Sequence, residues 1–472
     1  MIEIKKDKKR VFLETYGCQM NEYDTELVKS ILAKENYSFT KNEHEADIIM
    51  LNTCAVRENA HRKVYGRVHE ILHRRREENK LQGAPVLNAP APQGHRATGE
   101  LATPRKPIIG ILGCMATNLR QELFENRNLK IDFIAGPDSY KRLPDLIREA
   151  QGGEKSFDLT LSEFETYSDV YPARKEGINA WIAIMRGCNN FCTFCVVPYT
   201  RGRERSRSVE NIVEEVRRLA DDGFKQVTLL GQNVNSYRHE EQDFAYLLEE
   251  VAKINGIERV RFTSPHPKDF PDRVIDAIAS NPKLCKQLHV PMQSGNDRVL
   301  DVMNRTYTQK EYLDLIEKMR KKIPGVALST DVIVGFPTET DAEFEDTYNV
   351  MKTVEFDSAF IFKYSERKNT IAAKKFPDDI PEAVKTERIV RLNELQKAHS
   401  LKRNRAHIGS VEKVLVEAEA TAKSEKHQRD EIQARADNNK IVIIPAGTAK
   451  LGDFLNVRIT DATTYVLKGE LI

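Results

Sequence analysis

Residues 186–195 have the sequence RGCNNFCTFC, which places Cys188, Cys192 and Cys195 in one short loop after the apolar stretch INAWIAIM. Soft thiolate ligands at this spacing select an iron–sulfur cluster or zinc. A zinc site wants a fourth ligand close by, and the next cysteine, Cys285, lies far along the chain. A cubane cluster bound here would therefore keep one iron without a protein thiolate, free to bind a substrate. A zinc loop completed from elsewhere in the chain is the alternative.

The composition is that of a large globular protein with metal or redox chemistry. The chain has 472 residues, 40% of them hydrophobic and 31% charged, and this length favours about three domains. We expect a cytoplasmic protein, because no apolar run approaches a membrane span and the charged start MIEIKKDKKR lacks the core of a secretory signal. The seven cysteines, an odd number, argue against a disulfide framework. Because the net charge is only +2, nucleic-acid binding must depend on local patches.

Three further cysteines each end an apolar, strand-like run. The runs are RVFLETYGC, ADIIMLNTC and PIIGILGC, which end at Cys18, Cys54 and Cys114. Helix-like segments follow them, and strands that alternate with helices imply an open parallel sheet. We therefore expect the three thiols to meet at the carboxyl edge of this sheet; three separate buried cysteines are the alternative. Between the second and third runs, a Pro- and Ala-rich insertion over about residues 80–107 predicts a mobile surface loop.

Strand-like and helix-like segments then alternate in about six βα units. This pattern predicts a full or partial parallel (β/α) barrel, whose sites lie at the carboxyl ends of its strands. The loop with three cysteines lies at that edge, and so do several polar and glycine-rich turns. The candidate cofactor-binding residues there are Phe194, Gly231, Gln232, Asn233, His289, Gln293, Ser294, Gly335, Tyr364 and Arg367.

Two other stretches are candidate RNA contacts. In PYTRGRERSRS, alternate arginines at positions 201, 203, 205 and 207 would face one side of an extended chain and bind phosphates. An exposed basic loop without a specific role is the alternative. From about residue 406 onward, short strand-like runs separated by turn residues predict a small antiparallel barrel, which either binds RNA through one face or stabilises the protein.

The three parts together resemble the methylthiotransferase family of radical S-adenosylmethionine (SAM) enzymes over essentially the whole chain. YGCQMNEYDTE, LNTCAVRENA and LGCMA resemble the family's amino-terminal domain, and CNNFCTFCVVPYTRG resembles its radical SAM core. RADNNKIVIIP and GDFLNVRIT resemble its TRAM domain, an OB-like barrel that grips tRNA. The resemblance implies an α/β multidomain fold. Its parts would be an open parallel-sheet domain over 1–150, a partial (β/α) barrel of radical SAM type over 174–405, and a TRAM domain over 406–472.

The resemblance also implies the cofactors, two 4Fe-4S clusters and SAM. Cys188, Cys192 and Cys195 take the role of ligands to the cluster that binds and cleaves SAM. An auxiliary cluster that carries sulfur would be held by Cys18, Cys54 and Cys114.

Within the family, YGCQMN and CVVPYTRG are most like the branch that adds a methylthio group to carbon 2 of prenylated adenosine at position 37 of tRNA. The expected partners are the tRNA anticodon loop, an external electron donor, and an iron–sulfur carrier or sulfur donor, with no membrane. Two alternatives remain open. One is a sibling enzyme that acts on a ribosomal-protein aspartate or on threonylcarbamoyl-adenosine, and the other is a non-catalytic iron–sulfur RNA-binding protein.

Overall fold

The computed structural model describes residues 8–55, 58–82, 107–126, 128–174, 177–419, 431–445, 447 and 449–472. It divides into two compact units, the first formed by Met1–Ala173 with Tyr199–Gly202 and the second by Arg174–Pro198 with Arg203–Ile472. Of the insertion predicted to be mobile, residues 83–106 lie outside the described residues. Across the described ranges, no helix combines the length and apolar character that crossing a membrane requires.

The first unit contains a parallel sheet of six strands. The strands are β1 (Arg10–Tyr16), β2 (Ser38–Phe39), β3 (Ile48–Thr53), β4 (Ile108–Leu112), β5 (Phe133–Ala135) and β6 (Ser156–Asp158). The helices are α1 (Gln19–Lys34), α2 (Glu58–Gln82), α3 (Cys114–Glu125) and α4 (Leu143–Gln151), with 3₁₀ turns at Glu43–Glu45 and Tyr140–Arg142. The strand order is β2-β1-β3-β4-β5-β6 and every pairing is parallel, which confirms the predicted open parallel sheet.

The second unit begins with a partial parallel barrel. Its strands, with two short antiparallel pairs among them, are β7 (Asn179–Ala183), β8 (Met185–Arg186), β9 (Arg205–Ser206), β10 (Gln226–Leu230), β11 (Arg238–His239), β12 (Gln242–Asp243), β13 (Arg259–Phe262), β14 (Gln287–His289), β15 (Ala327–Val334) and β16 (Ser358–Lys363). The helices are α5 (Val197–Thr200), α6 (Val209–Asp221), α7 (Phe244–Ala252), α8 (Asp272–Ser280), α9 (Asp297–Val302), α10 (Gln309–Lys322), α11 (Asp341–Val354), α12 (Ile371–Lys375) and α13 (Glu382–Arg405), with 3₁₀ turns at Val234–Ser236 and Pro267–Asp269. Strands β7-β10-β13 and β14-β15-β16 form two parallel sheets, and a bridge between Val260 and Leu284 connects them.

The strands of the partial barrel are apolar on one face and polar on the other. Residues such as Ile182, Leu229 and Leu328 pack into the large core with the helices. The alternate residues form polar contacts from strand to strand; for example, Asn179 accepts hydrogen bonds from Gln226 and Thr228. Since the helices cover the apolar face, the inner face of the barrel is the polar one.

The carboxyl-terminal part is a closed barrel of five strands. These are β17 (Val411–Glu419), β18 (Glu431–Ala436), β19 (Ile441–Pro445), β20 (Phe454–Ala462) and β21 (Val466–Leu471). Their order around the barrel is β17-β18-β19-β21-β20. Four pairings are antiparallel, whereas β19 and β21 pair in parallel. The predicted small barrel is thus confirmed, with one parallel pair.

Two buried arginines on β13 connect the partial barrel to the carboxyl-terminal barrel. Arg259 donates to the carbonyl oxygens of Arg435 and Lys413 at 2.6 and 2.7 Å. Arg261 donates to those of Asp437 and Ala436, both at 2.9 Å. These four bonds hold β17, the end of β18 and the residue after it against the amino end of the parallel strands.

Replacing Arg261 with Met should loosen this attachment. The carbonyl oxygens of Ala436 and Asp437 would lose a charged donor, at a cost of about 1–3 kcal/mol for each buried group. We expect limited proteolysis, followed by mass spectrometry, to release the carboxyl-terminal barrel faster from R261M than from the wild type. The exposed Arg238, changed to Met, serves as the control. Equal cleavage rates in all three proteins would contradict the prediction.

Candidate functional site

The loop after β8 brings Cys188, Cys192 and Cys195 together in the second unit. Cys188 and Cys192 are buried, Cys195 is partly exposed, and the three thiols lie close enough to interact electrostatically. The turn needs an unusual backbone, since Phe191 has a φ of +49°. The backbone and hydroxyl of Thr193 both donate to carbonyl oxygens at the end of α9, which fixes the loop against the barrel.

The surroundings of this loop oppose thiolate formation in the absence of a positive ligand. Burial raises the pKa of Cys188 to about 11 and that of Cys195 to about 12. A bound cluster must therefore displace protons from thiols that are neutral at physiological pH. Arg305 supplies a fixed positive charge: its Nη1 lies 3.4 Å from Sγ of Cys192.

The donor set fits a three-thiolate iron–sulfur cluster. Nowhere in the described ranges do three or more His, Cys, Asp or Glu side chains converge as ligands of a metal ion. The three thiols of one loop match the ligands of an iron–sulfur cluster, in which each thiolate binds a different iron atom. Cys285 is buried elsewhere, and burial raises the pKa of its thiol to about 12, as for a core residue.

The second group of cysteines lies at the carboxyl edge of the sheet in the first unit. Cys18, Cys54 and Cys114 follow β1, β3 and β4, which are neighbours in the sheet. Gly17 permits a close approach, because a Cβ at this position would lie 2.5 Å from the Cβ of Cys54. Cys18 is the N-cap of α1 and Cys114 is the first residue of α3. The partial positive charge of these helix ends favours thiolates.

Electrostatic interactions join these cysteines to a buried ion pair. Hydrogen bonding with Cys54 lowers the pKa of Cys18 to about 6, and the charge of Arg201 contributes. Burial raises the pKa of Cys114. Arg201, which belongs to the first unit, donates from Nε to Sγ of Cys114 at 3.0 Å and from Nη2 to Asp24 at 2.7 Å. Three cysteines beside a cation, one of them with a lowered pKa, again form a donor set that fits a cluster.

Three of the predicted cofactor-binding residues lie around one aromatic cluster beside the loop with three cysteines. The ring of Phe194 packs against Phe336 with centroids 6.5 Å apart, and Phe336 packs against Tyr364 at 5.1 Å. The hydroxyl of Tyr364 is buried and has no hydrogen-bond partner in the described part of the chain. Gly335 donates its N–H to the buried carboxylate of Glu339 at 2.7 Å.

Three more predicted residues follow β10. Gln232 accepts from the backbone N–H of Gly187 at 2.6 Å, which ties this turn to the cysteine loop. A Cβ on Gly231 would lie 2.6 Å from the Cγ of Met185, so glycine is required there. Asn233 donates to Asp269 at 2.9 Å.

Of the remaining four predicted residues, His289 ends β14, Gln293 and Ser294 follow that strand, and Arg367 follows β16. His289 contacts Ser329 at 3.0 Å and Asp331 at 3.3 Å. Gln293 has a φ of +68°, Ser294 pairs with Thr347, and the carbonyl of Arg367 accepts from Thr370. The structure therefore places all ten predicted residues at the carboxyl edge of the barrel, and their contacts with SAM stay predictions.

A buried polar group at the same edge was not predicted from the sequence. Arg305 and Tyr307 follow α9, and the Tyr307 hydroxyl accepts from Nε of Arg305 at 3.1 Å. His266 packs against Tyr307 with ring centroids 5.7 Å apart, and burial lowers its pKa to about 2, so the imidazole is neutral. Arg305, Tyr307 and His266 lie in loops without a recognisable motif. Only the place of these loops, after a strand or helix at this edge, could have suggested that their residues belong to the site.

The prediction that four arginines share one phosphate-binding face is wrong. Only Arg203 is exposed, whereas Arg201, Arg205 and Arg207 are 3%, 7% and 4% exposed. Arg207 forms an ion pair with the buried Glu215 at 2.6 Å. The stretch begins in helix α5 and is extended as a strand only at the two residues of β9, so its alternation does not produce one exposed face.

Comparison with known proteins agrees with this architecture. The chain matches the Radical SAM superfamily over residues 182–351, the Uncharacterized protein family UPF0004 over 10–84 and the TRAM domain over 405–472. Its fold resembles that of the radical S-adenosylmethionine methyltransferase TsrM from Kitasatospora setae, with a TM-score of 0.56 and 13% identity over 78% of this chain and 74% of that chain. The parallel partial barrel and its cysteine loop are thus those of a radical SAM enzyme.

Curated relatives define the family more closely. The tRNA-2-methylthio-N(6)-dimethylallyladenosine synthase of Chloroherpeton thalassium is 44% identical, over 98% of this chain and 96% of the relative. The synthase of the same name from Porphyromonas gingivalis strain W83 is 43% identical, over 99% of this chain and 96% of the relative. The chain therefore belongs to the family of tRNA-2-methylthio-N(6)-dimethylallyladenosine synthases, which are radical SAM methylthiotransferases. The cofactors are two 4Fe-4S clusters and SAM, as predicted, and membership in an enzyme family removes the non-catalytic alternative.

Changing Gly17 to Ala should remove the iron of the first unit only. The added methyl group would collide with Cys54 and force Cys18 and Cys54 apart. We expect anaerobically reconstituted G17A to bind roughly half the iron of the wild type, as two equivalent clusters imply. Gly153 is the matched control, because it also has a positive φ but no atom within 4 Å of the added Cβ. Full iron content in G17A, or equal loss in G153A, would contradict the role of Gly17.

Proposed function

We propose that the chain adds a methylthio group to carbon 2 of N6-dimethylallyladenosine at position 37 of tRNA. The observation that supports this is the presence of two separate three-cysteine sites, each at the carboxyl edge of a parallel sheet, in a chain of this family. One site suits the reductive cleavage of SAM, and the other suits the binding of the sulfur to be transferred.

The loop with Cys188, Cys192 and Cys195 would hold the cluster that binds SAM. When bound, this cofactor pair supplies a 5′-deoxyadenosyl radical. The chain's own residues would bind and orient the cluster and SAM. Arg305 fixes Cys192 through a hydrogen bond, and the aromatic rings around Phe336 exclude water. The residues proposed to contact SAM are Phe194, Gly231, Gln232, Asn233, His289, Gln293, Ser294, Gly335, Tyr364 and Arg367.

The other triad, formed by Cys18, Cys54 and Cys114, would hold the auxiliary cluster that carries sulfur. The helix ends at Cys18 and Cys114 favour the thiolate form of both ligands. We take the amino-terminal domain to extend over 1–150, the radical SAM core over 174–405 and the TRAM domain over 406–472.

The partners follow from the chemistry. The closed carboxyl-terminal barrel presents Lys450, Arg458 and Lys468 to solvent, which suits contact with the phosphates of tRNA. Each turnover consumes an electron and a sulfur atom, so we propose an external electron donor and an iron–sulfur carrier or sulfur donor. A tRNA substrate places the reaction in the cytoplasm.

Triple alanine variants of each cysteine group should separate the two functions. Without Cys188, Cys192 and Cys195, reduced and reconstituted protein should form no 5′-deoxyadenosine, because no cluster with an open iron remains. The variant that lacks the three cysteines of the first unit should still cleave SAM but form no methylthio product. Chromatography and mass spectrometry of both products provide the measurement. Undiminished deoxyadenosine from the first variant, or methylthio product from the second, would refute the corresponding assignment.

Substrate choice should depend strongly on the prenyl group. Burial of its five carbons is worth several times the roughly 0.8 kcal/mol of one methylene. We expect prenylated tRNA to be methylthiolated at least tens of times faster than the same tRNA without the prenyl group, as a few kcal/mol implies. Nucleoside mass spectrometry gives both rates, with a ribosomal protein that carries the target aspartate as the third substrate. Comparable rates on unprenylated tRNA, or a preference for the protein, would place the chain in the sibling class.

A further inference from the structure

Each three-cysteine site contains one buried arginine that donates a hydrogen bond to a cysteine sulfur. In the second unit, Nη1 of Arg305 lies 3.4 Å from Sγ of Cys192, and Arg305 is 8% exposed. In the first unit, Nε of Arg201 lies 3.0 Å from Sγ of Cys114, and Arg201 is 3% exposed. Both sites therefore place a permanent cation in contact with a cluster ligand.

The two arginines differ in their other partners. Arg201 also donates to the fully buried carboxylate of Asp24 at 2.7 Å, so its charge is neutralised locally. Arg305 donates to neutral acceptors only, the hydroxyl of Tyr307 at 3.1 Å and the carbonyl of Pro291 at 3.0 Å. Among the described side chains, none with a carboxylate forms an ion pair with Arg305, so its positive charge is not offset by contact.

One acidic side chain acts on the same cysteine loop from another direction. Glu204 accepts a hydrogen bond from the backbone N–H of Asn189 at 3.1 Å and interacts with Cys188. It is partly exposed, so solvent and salt screen its charge more than that of the buried Arg305. The buried cation is therefore the stronger influence on the loop.

We propose that Arg305 is a positioning residue that makes the cluster at Cys188, Cys192 and Cys195 easier to reduce, and that Asp24 cancels the equivalent effect of Arg201 at the other site. The inference rests on the cluster assignments of the proposed function. One electron passes from an external one-electron reductant to this site, and no bond or proton moves with it. Because reduction adds negative charge, an adjacent cation stabilises the reduced form more than the oxidised form.

A purely structural role for Arg305 is the competing explanation. Its three donors tie the cysteine loop to the chain at Pro291, and Tyr307 reinforces this contact by donating to the carbonyl of Met292 at 2.7 Å. Lysine keeps the positive charge but lacks the planar fork, whereas glutamine removes the charge. The two substitutions therefore separate charge from geometry.

The test is a redox titration of the full-length holoenzyme with dithionite, followed by electron paramagnetic resonance. The relevant signal is the one that added SAM alters. In R305Q, the ratio of reduced to oxidised cluster at a fixed potential should fall at least tenfold, which is about 59 mV for a one-electron couple. In R305K this ratio should stay within about threefold of the wild type, because the charge remains.

Arg203 provides the matched control for loss of a positive charge. It lies close to the same loop, with its guanidinium 4.3 Å from the ring centroid of Phe191, but it is exposed. R203Q should change the ratio by less than about twofold, since solvent screens exposed charges. An R203Q effect as large as that of R305Q would overturn the proposal.

The substitution D24N tests the second half of the proposal. Asparagine keeps the shape of Asp24 but no longer neutralises Arg201. The cluster of the first unit gives the signal that SAM does not alter. For this signal, the ratio of reduced to oxidised cluster in D24N should be at least tenfold higher than in the wild type. The partial charges at Cys18 and Cys114 from the helix ends are the same in both proteins and cancel in this comparison. An unchanged ratio in D24N would overturn the role of Asp24.

The remaining outcomes are also decisive. A wild-type ratio in R305Q would overturn the role of Arg305. If R305Q does not retain its cluster, the test depends on R305K, which keeps the positive charge. A wild-type ratio of reduced to oxidised cluster in R305K supports the proposal. A tenfold fall of this ratio in R305K overturns it. If the wild-type protein shows no signal that SAM alters, the cluster assignment of the proposed function fails, and that result is distinct from an unshifted ratio in R305Q.

Discussion

Buried thiolates repel one another, and the placement of charge around them constrains both cysteine sites. Burial raises the pKa of the Cys188 and Cys195 thiols well above the ordinary value of a cysteine, so thiolate formation there is more costly. In the first unit, a hydrogen bond with Cys54 lowers the pKa of Cys18, and the charge of Arg201 and the first turn of α1 contribute, whereas burial raises the pKa of Cys114. Each site thus places a buried arginine beside one cysteine sulfur. The arginine is paired with Asp24 in the first unit and has neutral partners, the Tyr307 hydroxyl and the Pro291 carbonyl, in the second.

The sheets supply the geometry that these charges require. Parallel strands bring their carboxyl ends to one edge, so cysteines that are distant in sequence become neighbours whenever their strands are adjacent. The order β1-β3-β4 does this for Cys18, Cys54 and Cys114, and Gly17 removes the side chain that would separate the first two. In the partial barrel, one loop already contains all three ligands, and the neighbouring turns add the surrounding residues.

These features explain what the sequence could predict. Strand and helix periodicity, cysteine spacing and glycine-rich turns are local signals, and they located the sheet, the barrel and both cysteine groups correctly. Arginine pairing is a tertiary property: the partner of Arg201 is Asp24, and that of Arg207 is Glu215, neither of which is adjacent in sequence. The alternation of arginines therefore suggested an exposed face where the structure has buried ion pairs. Arg305 gave no signal at all, since its contact with Cys192 depends on how the loop after α9 packs.

In the second unit, the contacts with the carboxyl-terminal barrel and the cysteine loop lie at opposite ends of the parallel strands. At their amino ends, Arg259 and Arg261 donate four hydrogen bonds to carbonyl oxygens of the carboxyl-terminal barrel, and the backbone N–H of Lys286 donates to Asp437 at 3.0 Å. The four arginine bonds go to backbone carbonyls and impose no particular side chain on the barrel, whereas the Lys286 contact requires the carboxylate of Asp437. The carboxyl ends carry the cysteine loop and the polar turns. Because the attachment lies at the amino ends of the strands, it is separate from the edge that carries the cysteine loop and the polar turns, where the proposed cofactor contacts lie.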